Sequence, residues 1–305
     1  MVTITLKIKL NITPAQVDLF RATAAKFTQS FNRVSAVGWG QKRVNGVELP
    51  KATYADERVN SGLPSQLVIS SRMKATEALK SAKALIKKGR KARLPQSKKV
   101  PIRYDARSAT IKLSESTATL LTIEGREKVT FSLPAFYQTK KDWKTCSSDL
   151  CIDKHGKVFL HVVVEKEDPK FESSGTVVGV DLGVNRPAVT SENEFFGTRY
   201  WKEIENRNFR LKRALQAKGT KSATRHLVKL SRKVNRFRND CDHVISKRIV
   251  DSAPIGAMIA MEDLAHIRDR VKARKKVRRR IHAWSFSRLK TYVEYKAKQL
   301  QARPL

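Results

Sequence analysis

The decapeptide TVVGVDLGVN at 176–185 constrains the fold more than any other stretch of the chain. Val177, Val178 and Val180 form an apolar, β-branched run of the kind that lies inside a sheet. Asp181 ends that run, and a carboxylate in an apolar setting is costly to bury unless something pairs with it. Gly183 lets the backbone approach a neighbour closely just beyond. Two readings are open at this point. Asp181 is a strand end whose carboxylate faces water, or it is a metal-binding carboxylate on the central strand of a nuclease.

Charge narrows the choice of partners. The chain carries 63 Lys and Arg against 28 Asp and Glu, a net +35 with an isoelectric point near 10.5. Such a field attracts polyanions and opposes compaction until one neutralises it. Nucleic acid is the expected partner. A membrane partner is not expected, because there is no long apolar span, signal peptide or lipidation motif. A cytoplasmic, nucleoid-associated location follows as the expectation. Length and a 40% hydrophobic content allow two or three domains with real cores. Cys146, Cys151 and Cys241 form no CxxC pair, so no zinc site is expected.

Taken in order, residues 3–10 alternate as a strand, and Thr13-Pro14 reads as an N-cap with proline at the first helical position. Val17, Phe20, Ala24, Phe27, Phe31 and Val34 then recur at helical spacing as far as Gly38. A loop through Asn45-Gly46 leads to a second helix from Pro64-Ser65, which ends in the basic stretch 87–93. Strands are expected over 109–113, 117–124, 128–133 and 157–164, followed by a linker over 165–175. Beyond it, strands at 177–181, 188–190 and 194–200 should pair antiparallel through tight turns. A helical region over 203–251, broken near Gly219, precedes a short apolar strand at 257–261 that closes on Glu262. The fold class is therefore α+β. A β-barrel from residues 1–10 and 95–170 carries a helical insertion at 11–94, and a second domain occupies 176–305.

Asp181 and Glu262 each end a short apolar strand, with the helical region between them. If those strands are neighbours, the carboxylates meet at one edge of the sheet. In a basic protein such a pair suits Mg²⁺, which takes oxygen ligands and bridges to phosphate. The run at 268–280 holds nine basic residues: Arg268, Arg270, Lys272, Arg274, Lys275, Lys276, Arg278, Arg279 and Arg280. With Arg232 and Arg236 on the long helix, these are the candidate nucleic-acid contacts, of the phosphate-tracking kind. Charge runs of this type also occur as plain solvated faces.

With GVDLG followed by AMEDL, the chain resembles the RuvC-type, RNase H-like nuclease domain of the TnpB family, the OrfB-type proteins of insertion sequences related to type V CRISPR effectors. Thr13-Pro14, Asn32-Arg33, Leu63-Pro64-Ser65-Gln66-Leu67, Arg103-Tyr104, Trp284-Ser285-Phe286 and Tyr295-Lys296-Ala297 fall in the family's order. The resemblance implies an RNA-guided DNA endonuclease that binds guide RNA from the transposon end and target DNA. It implies Asp181 and Glu262 as catalytic Mg²⁺ ligands. The family's third carboxylate follows a zinc ribbon, and the 305 residues contain neither; after Asp263 the only acidic residues are Asp269 and Glu294. The nuclease domain is thus expected to be C-terminally incomplete, with little or no cleavage unless another chain completes the site. Two alternatives are a guide-directed protein that binds without cutting, such as a repressor, and a decayed fragment that binds polyanions without specificity.

Overall fold

The structure is a computed structural model that describes residues 1–40, 47–167 and 171–300; the side chains of Pro50, Lys275, Lys276 and Leu300 lie outside that description, as does the loop expected at Asn45-Gly46. The chain divides into two compact units, the first ending at Lys166 and the second starting at Glu167.

In the first unit, β1 (Val2–Asn11) alternates as its sequence demands, with Leu6, Ile8 and Leu10 buried. It joins β2 (Ile102–Tyr104), β3 (Ala109–Lys112), β4 (Thr117–Thr122), β5 (Gly125–Phe131), β6 (Lys144–Ile152) and β7 (Val158–Lys166). Their order, β2-β6-β7-β1-β5-β4-β3, makes a nearly closed barrel. The helices α1 (Pro14–Trp39), α2 (Glu48–Asn60) and α3 (Ser65–Lys87) are inserted between β1 and β2. Helix α1 starts in a capping box: Gln16 N–H donates to Thr13 Oγ1 at 3.3 Å and Thr13 N–H to Gln16 Oε1 at 2.9 Å. Its aromatic stripe, Phe20, Phe27 and Phe31, is core.

Helix α2 and strand β6, like the short β2, fall outside the strands and helices the sequence pattern marks, the first two for a physical reason. Helix α2 buries Leu49, Thr53 and Glu57 on one face, so only one of its three inward positions is apolar. Glu57 is instead held by a two-pronged bond from the Arg33 guanidinium, 2.8 Å to each oxygen. Strand β6, KTCSSDLCI, buries only Ser148 and Leu150, and a register shift falls between Thr145 and Ser147. Its neighbours on both sides, β2 and β7, pair with it antiparallel and supply the pattern it lacks.

The signature residues of this unit are mostly fasteners. The Asn32 amide exchanges two bonds with the backbone of Ser97, at 2.9 and 3.0 Å. Gln66 donates to the Asp105 carboxylate, and the buried Tyr104 hydroxyl donates to Leu121 O at 3.0 Å.

The second unit is a four-stranded sheet in the order β10-β9-β8-β11, covered by helices. Its strands are β8 (Val177–Asp181), β9 (Ala188–Thr190), β10 (Phe195–Phe196) and β11 (Met258–Met261). The pairs β8–β9 and β9–β10 are antiparallel, as their tight turns require. The strand expected over 194–200 is a correction: it stops at Phe196, because Thr198 caps a helix by accepting from Trp201 N–H at 3.3 Å. That helix, α4 (Arg199–Lys218), ends at Gly219 in the left-handed conformation, and α5 (Lys221–Ser252) follows. The basic stretch forms α6 (Ile267–Arg270) and α7 (Lys275–Ala283), and α8 (Phe286–Leu300) follows. The core gathers Val180, Leu182, Ala188 and Phe196 from the sheet side with Ile245, Ile249, Leu289 and Val293 from α5 and α8.

Candidate metal centre

Strands β8 and β11 run parallel, with Val177 opposite Met258 and Val180 opposite Met261. The next step in that register is Asp181 and Glu262. Both carboxylates therefore emerge at the carboxyl ends of adjacent parallel strands, the edge of an open sheet where ligands bind. Val178 and Val180 anchor β8 in the core while Asp181 is exposed. The Glu262 carboxyl is held above the ordinary glutamate range, first by desolvation at the strand end and then by the like charge and side-chain hydrogen bond of Asp181. In so basic a chain it is telling that neither takes a lysine or arginine partner among the described ion pairs. Two adjacent, exposed oxygen-donor side chains with uncompensated charge fit a divalent cation.

Asp263, next in sequence, does something else. Its Oδ1 accepts from Ala265 N–H at 3.1 Å, closing the turn that leads into α6. Asp269 lies 3.7 Å from His266, and Glu294 sits on α8 beside Lys290 and Met258. Among the described residues no group of three or more His, Cys, Asp or Glu could hold a metal, so Asp181 and Glu262 stand as a pair. The thiols of Cys146, Cys151 and Cys241 are free.

The loop after Asp181 is tightly built. A Cβ on Gly183 would lie 2.7 Å from Arg186 O, so only glycine fits there. Arg280, from α7, reaches the same loop: its guanidinium donates to Val184 O at 3.4 Å and to Asn185 Oδ1. Gly183→Ala should accordingly push the loop off its backbone contact, cost about 1–3 kcal/mol and weaken metal binding at Asp181 more than Arg280→Ala does. Thermal melts with and without Mn²⁺ read both effects, and wild-type behaviour of Gly183→Ala would contradict the packing argument.

The basic residues divide into two sets. Arg268 donates to Trp284 O at 2.7 Å and lies over the Phe286 ring. Arg279 stacks on Phe209 at 3.7 Å from the ring centre, and Arg280 braces the loop. Arg232, Arg236, Arg270, Lys272, Arg274 and Arg278 are exposed. Lys275 and Lys276 start α7, and their side chains are outside the described set.

The sequence reading missed a polar seam between α5 and α8. Asp242, 5% exposed, accepts from Ser285 Oγ at 2.8 Å and from Arg288 Nε at 2.6 Å. Burial pushes its carboxyl above the usual aspartate range although Ser285 and Arg288 both pull it down. Lys296 Nζ donates to His243 O at 2.6 Å and Ser246 Oγ at 2.7 Å, and the Tyr292 ring stacks on His243. Ser285 of Trp284-Ser285-Phe286 and Lys296 of Tyr295-Lys296-Ala297 were the signal: both belong to this seam.

Comparison with known proteins agrees with this architecture. A family model described as a probable transposase of the OrfB/IS605 type matches residues 161–266, a segment that holds both Asp181 and Glu262. A TnpB-like protein of Methanocaldococcus jannaschii is 42% identical over 74 residues, 24% of this chain and 27% of the relative. A cryo-EM structure of a Cas12f1–sgRNA–target DNA complex superposes with a TM-score of 0.63 at 14% identity, covering 95% of this chain and 72% of that one. Over the segment that carries both carboxylates, the chain is similar to OrfB- and TnpB-type proteins. Its fold is of the Cas12f type, an α+β arrangement that includes the nearly closed barrel with its inserted helices. The curated TnpB-like match spans only about a quarter of that relative's length. Among the described residues, no helix is long and apolar enough to cross a membrane.

Proposed function

We propose that this chain is a TnpB-family protein that binds a guide RNA and the DNA it specifies, and that Asp181 and Glu262 hold Mg²⁺ at the DNA strand. One observation carries the reading: two carboxylates without basic partners meet in register on parallel strands of a chain with net charge +35. The structural relative was determined with an sgRNA and target DNA, which supports both kinds of nucleic acid as partners. In this division of labour base pairing with the guide reads sequence, and the protein holds backbone and shape.

Mg²⁺ bound there would neutralise charge on a phosphodiester and activate the attacking water. The chain's own residues fix the oxygen donors: β8 and β11 set their separation, Gly183 and Arg280 hold the loop beside Asp181, and the exposed basic residues of α5–α7 retain the phosphates. Two carboxylates leave more coordination positions to water, phosphate or a further ligand than three would. We therefore expect the 305-residue polypeptide on its own to bind its target and to cut slowly or not at all.

The test is guide-dependent target binding and plasmid cleavage in Mg²⁺. Binding to matched but not scrambled targets, with weak or no cleavage, supports the reading. Equal affinity for matched and scrambled DNA would reduce the chain to a non-specific polyanion binder, and rapid cleavage would overturn the expectation of a slow cut.

A further inference from the structure

The second unit contains a cavity of about 360 Å³, within the roughly 300–1,000 Å³ range of pockets that take small organic ligands. It is enclosed by the β8–β9 loop, the start of α4, the middle of α5 and the end of α7. Its lining includes Gly183 and Asn185, from the loop that follows Asp181. The metal reading makes no use of it.

The lining combines aromatic and cationic side chains. Trp201, Phe209, Phe237 and Trp284 supply aromatic surface, and Arg279 and Arg280 supply cationic surface. Phe209 is 37% exposed, and the Arg279 guanidinium covers one part of it at 3.7 Å from the ring centre. A ring and a guanidinium stacked in this way present the flat, polarisable surface on which a heteroaromatic ring stacks. Hydrogen-bonding groups lie beside it: Glu205, bonded to Arg238 at 2.8 Å, offers a carboxylate oxygen to an exocyclic amine. The Cys241 thiol in the wall is pushed up to about 12 by burial, so it adds no negative charge.

We propose that this cavity receives one unpaired nucleobase of a single strand. Size, aromatic walls and the neighbouring cations select a base with its phosphate, and a base still paired in a duplex presents no free face to stack. The inference rests on the nucleic-acid reading above and adds to it a specific job: a base seated here would fix the register of a strand whose backbone runs on toward Asp181 and Glu262. Arg279 and Arg280, which a sequence reading assigns to phosphate, would on this view organise the base site.

A set of short single-stranded DNAs of one sequence, each with an abasic site at a different position, tests the proposal by fluorescence anisotropy with the 305-residue protein. For the wild type, one position in the set should lose about fivefold or more in affinity, the scale of one stacked base. Phe209→Ala should bind all members of the set equally, at the affinity of the wild type with its worst abasic strand, and with an unchanged salt slope because the phosphate contacts remain. Asn206→Trp, which fills the cavity from an exposed helical position, should do the same should Phe209→Ala fail to fold. An abasic penalty that survives in the variants, or none in a wild type that binds single strands, overturns the cavity assignment alone. A wild type that binds no single strand overturns this proposal together with the nucleic-acid reading.

Discussion

Arg288→Ala is expected to lose about 3–5 kcal/mol of stability, because it leaves the Asp242 carboxylate buried without its cation. The loss should be confined to the second unit, whose α5–α8 packing depends on this pair, and chemical denaturation followed by tryptophan fluorescence should read it. Replacing the pair together, Asp242→Leu with Arg288→Met, should recover most of the loss, since a well-packed apolar pair needs no desolvated charge. The pH response separates this cause from lost packing. A carboxyl whose folded pKa is raised costs stability above that pKa and regains it as pH falls through it. Without Arg288 the folded pKa of Asp242 rises further, so Arg288→Ala should gain on the wild type on acidification from pH 7 toward the ordinary aspartate value of about 3.9. A deficit that stays constant with pH would refute the buried-charge account.

The second large effect concerns the metal. Mn²⁺ or Mg²⁺ should raise the melting temperature of the wild type, by about 2.7 kcal/mol of stability at a concentration a hundred times the dissociation constant. Asp181→Asn and Glu262→Gln should each abolish most of that rise. Without metal the same variants should be slightly more stable than the wild type, because each relieves the repulsion that lifts the Glu262 carboxyl. The sign follows the same rule: in the metal-free wild type the pair costs stability above the folded pKa of Glu262, and acidification through that pKa removes the cost. Asp263→Asn is the control, since its carboxylate closes a turn and should leave the metal response intact. A full metal response in Asp181→Asn would remove the pair from consideration as the binding site.

Much of this arrangement is legible in the residues themselves. The stripe from Phe20 to Val34, the alternation of 3–10 and the breaks at Gly219 and Asn45-Gly46 are strong local signals, and the first three appear where the pattern puts them. The pairing of Asp181 with Glu262 is legible only as a conditional: each strand end is visible, but their adjacency is a tertiary fact that β8–β11 pairing supplies. What stays hidden is held by polar contacts. Helix α2 is secured by Glu57 on Arg33, and β6 by pairing on both sides. The α5–α8 seam is likewise built from Asp, Ser, Arg, Tyr and Lys, so neither it nor α2 leaves an apolar period to read. The basic run shows the converse error. A uniform string of Arg and Lys conceals that Arg268, Arg279 and Arg280 are engaged by rings and carbonyls of their own unit.

The parallel pairing of β8 with β11 also sets a timetable. Asp181 and Glu262 are 81 positions apart in the chain, and most of the intervening residues lie in α4 and α5. At translation rates of about 5–20 residues per second, Glu262 leaves the ribosome roughly 4–16 s after Asp181. During that interval β8 can hairpin with β9, but its other edge has no partner and its carboxylate no mate. Closing a loop of that length also makes the β8–β11 contact among the latest to form in the unit. A nascent or broken chain that ends within α4 or α5 therefore carries Asp181 without its mate, and the carboxylate pair is complete only once β11 has been made and has docked on β8.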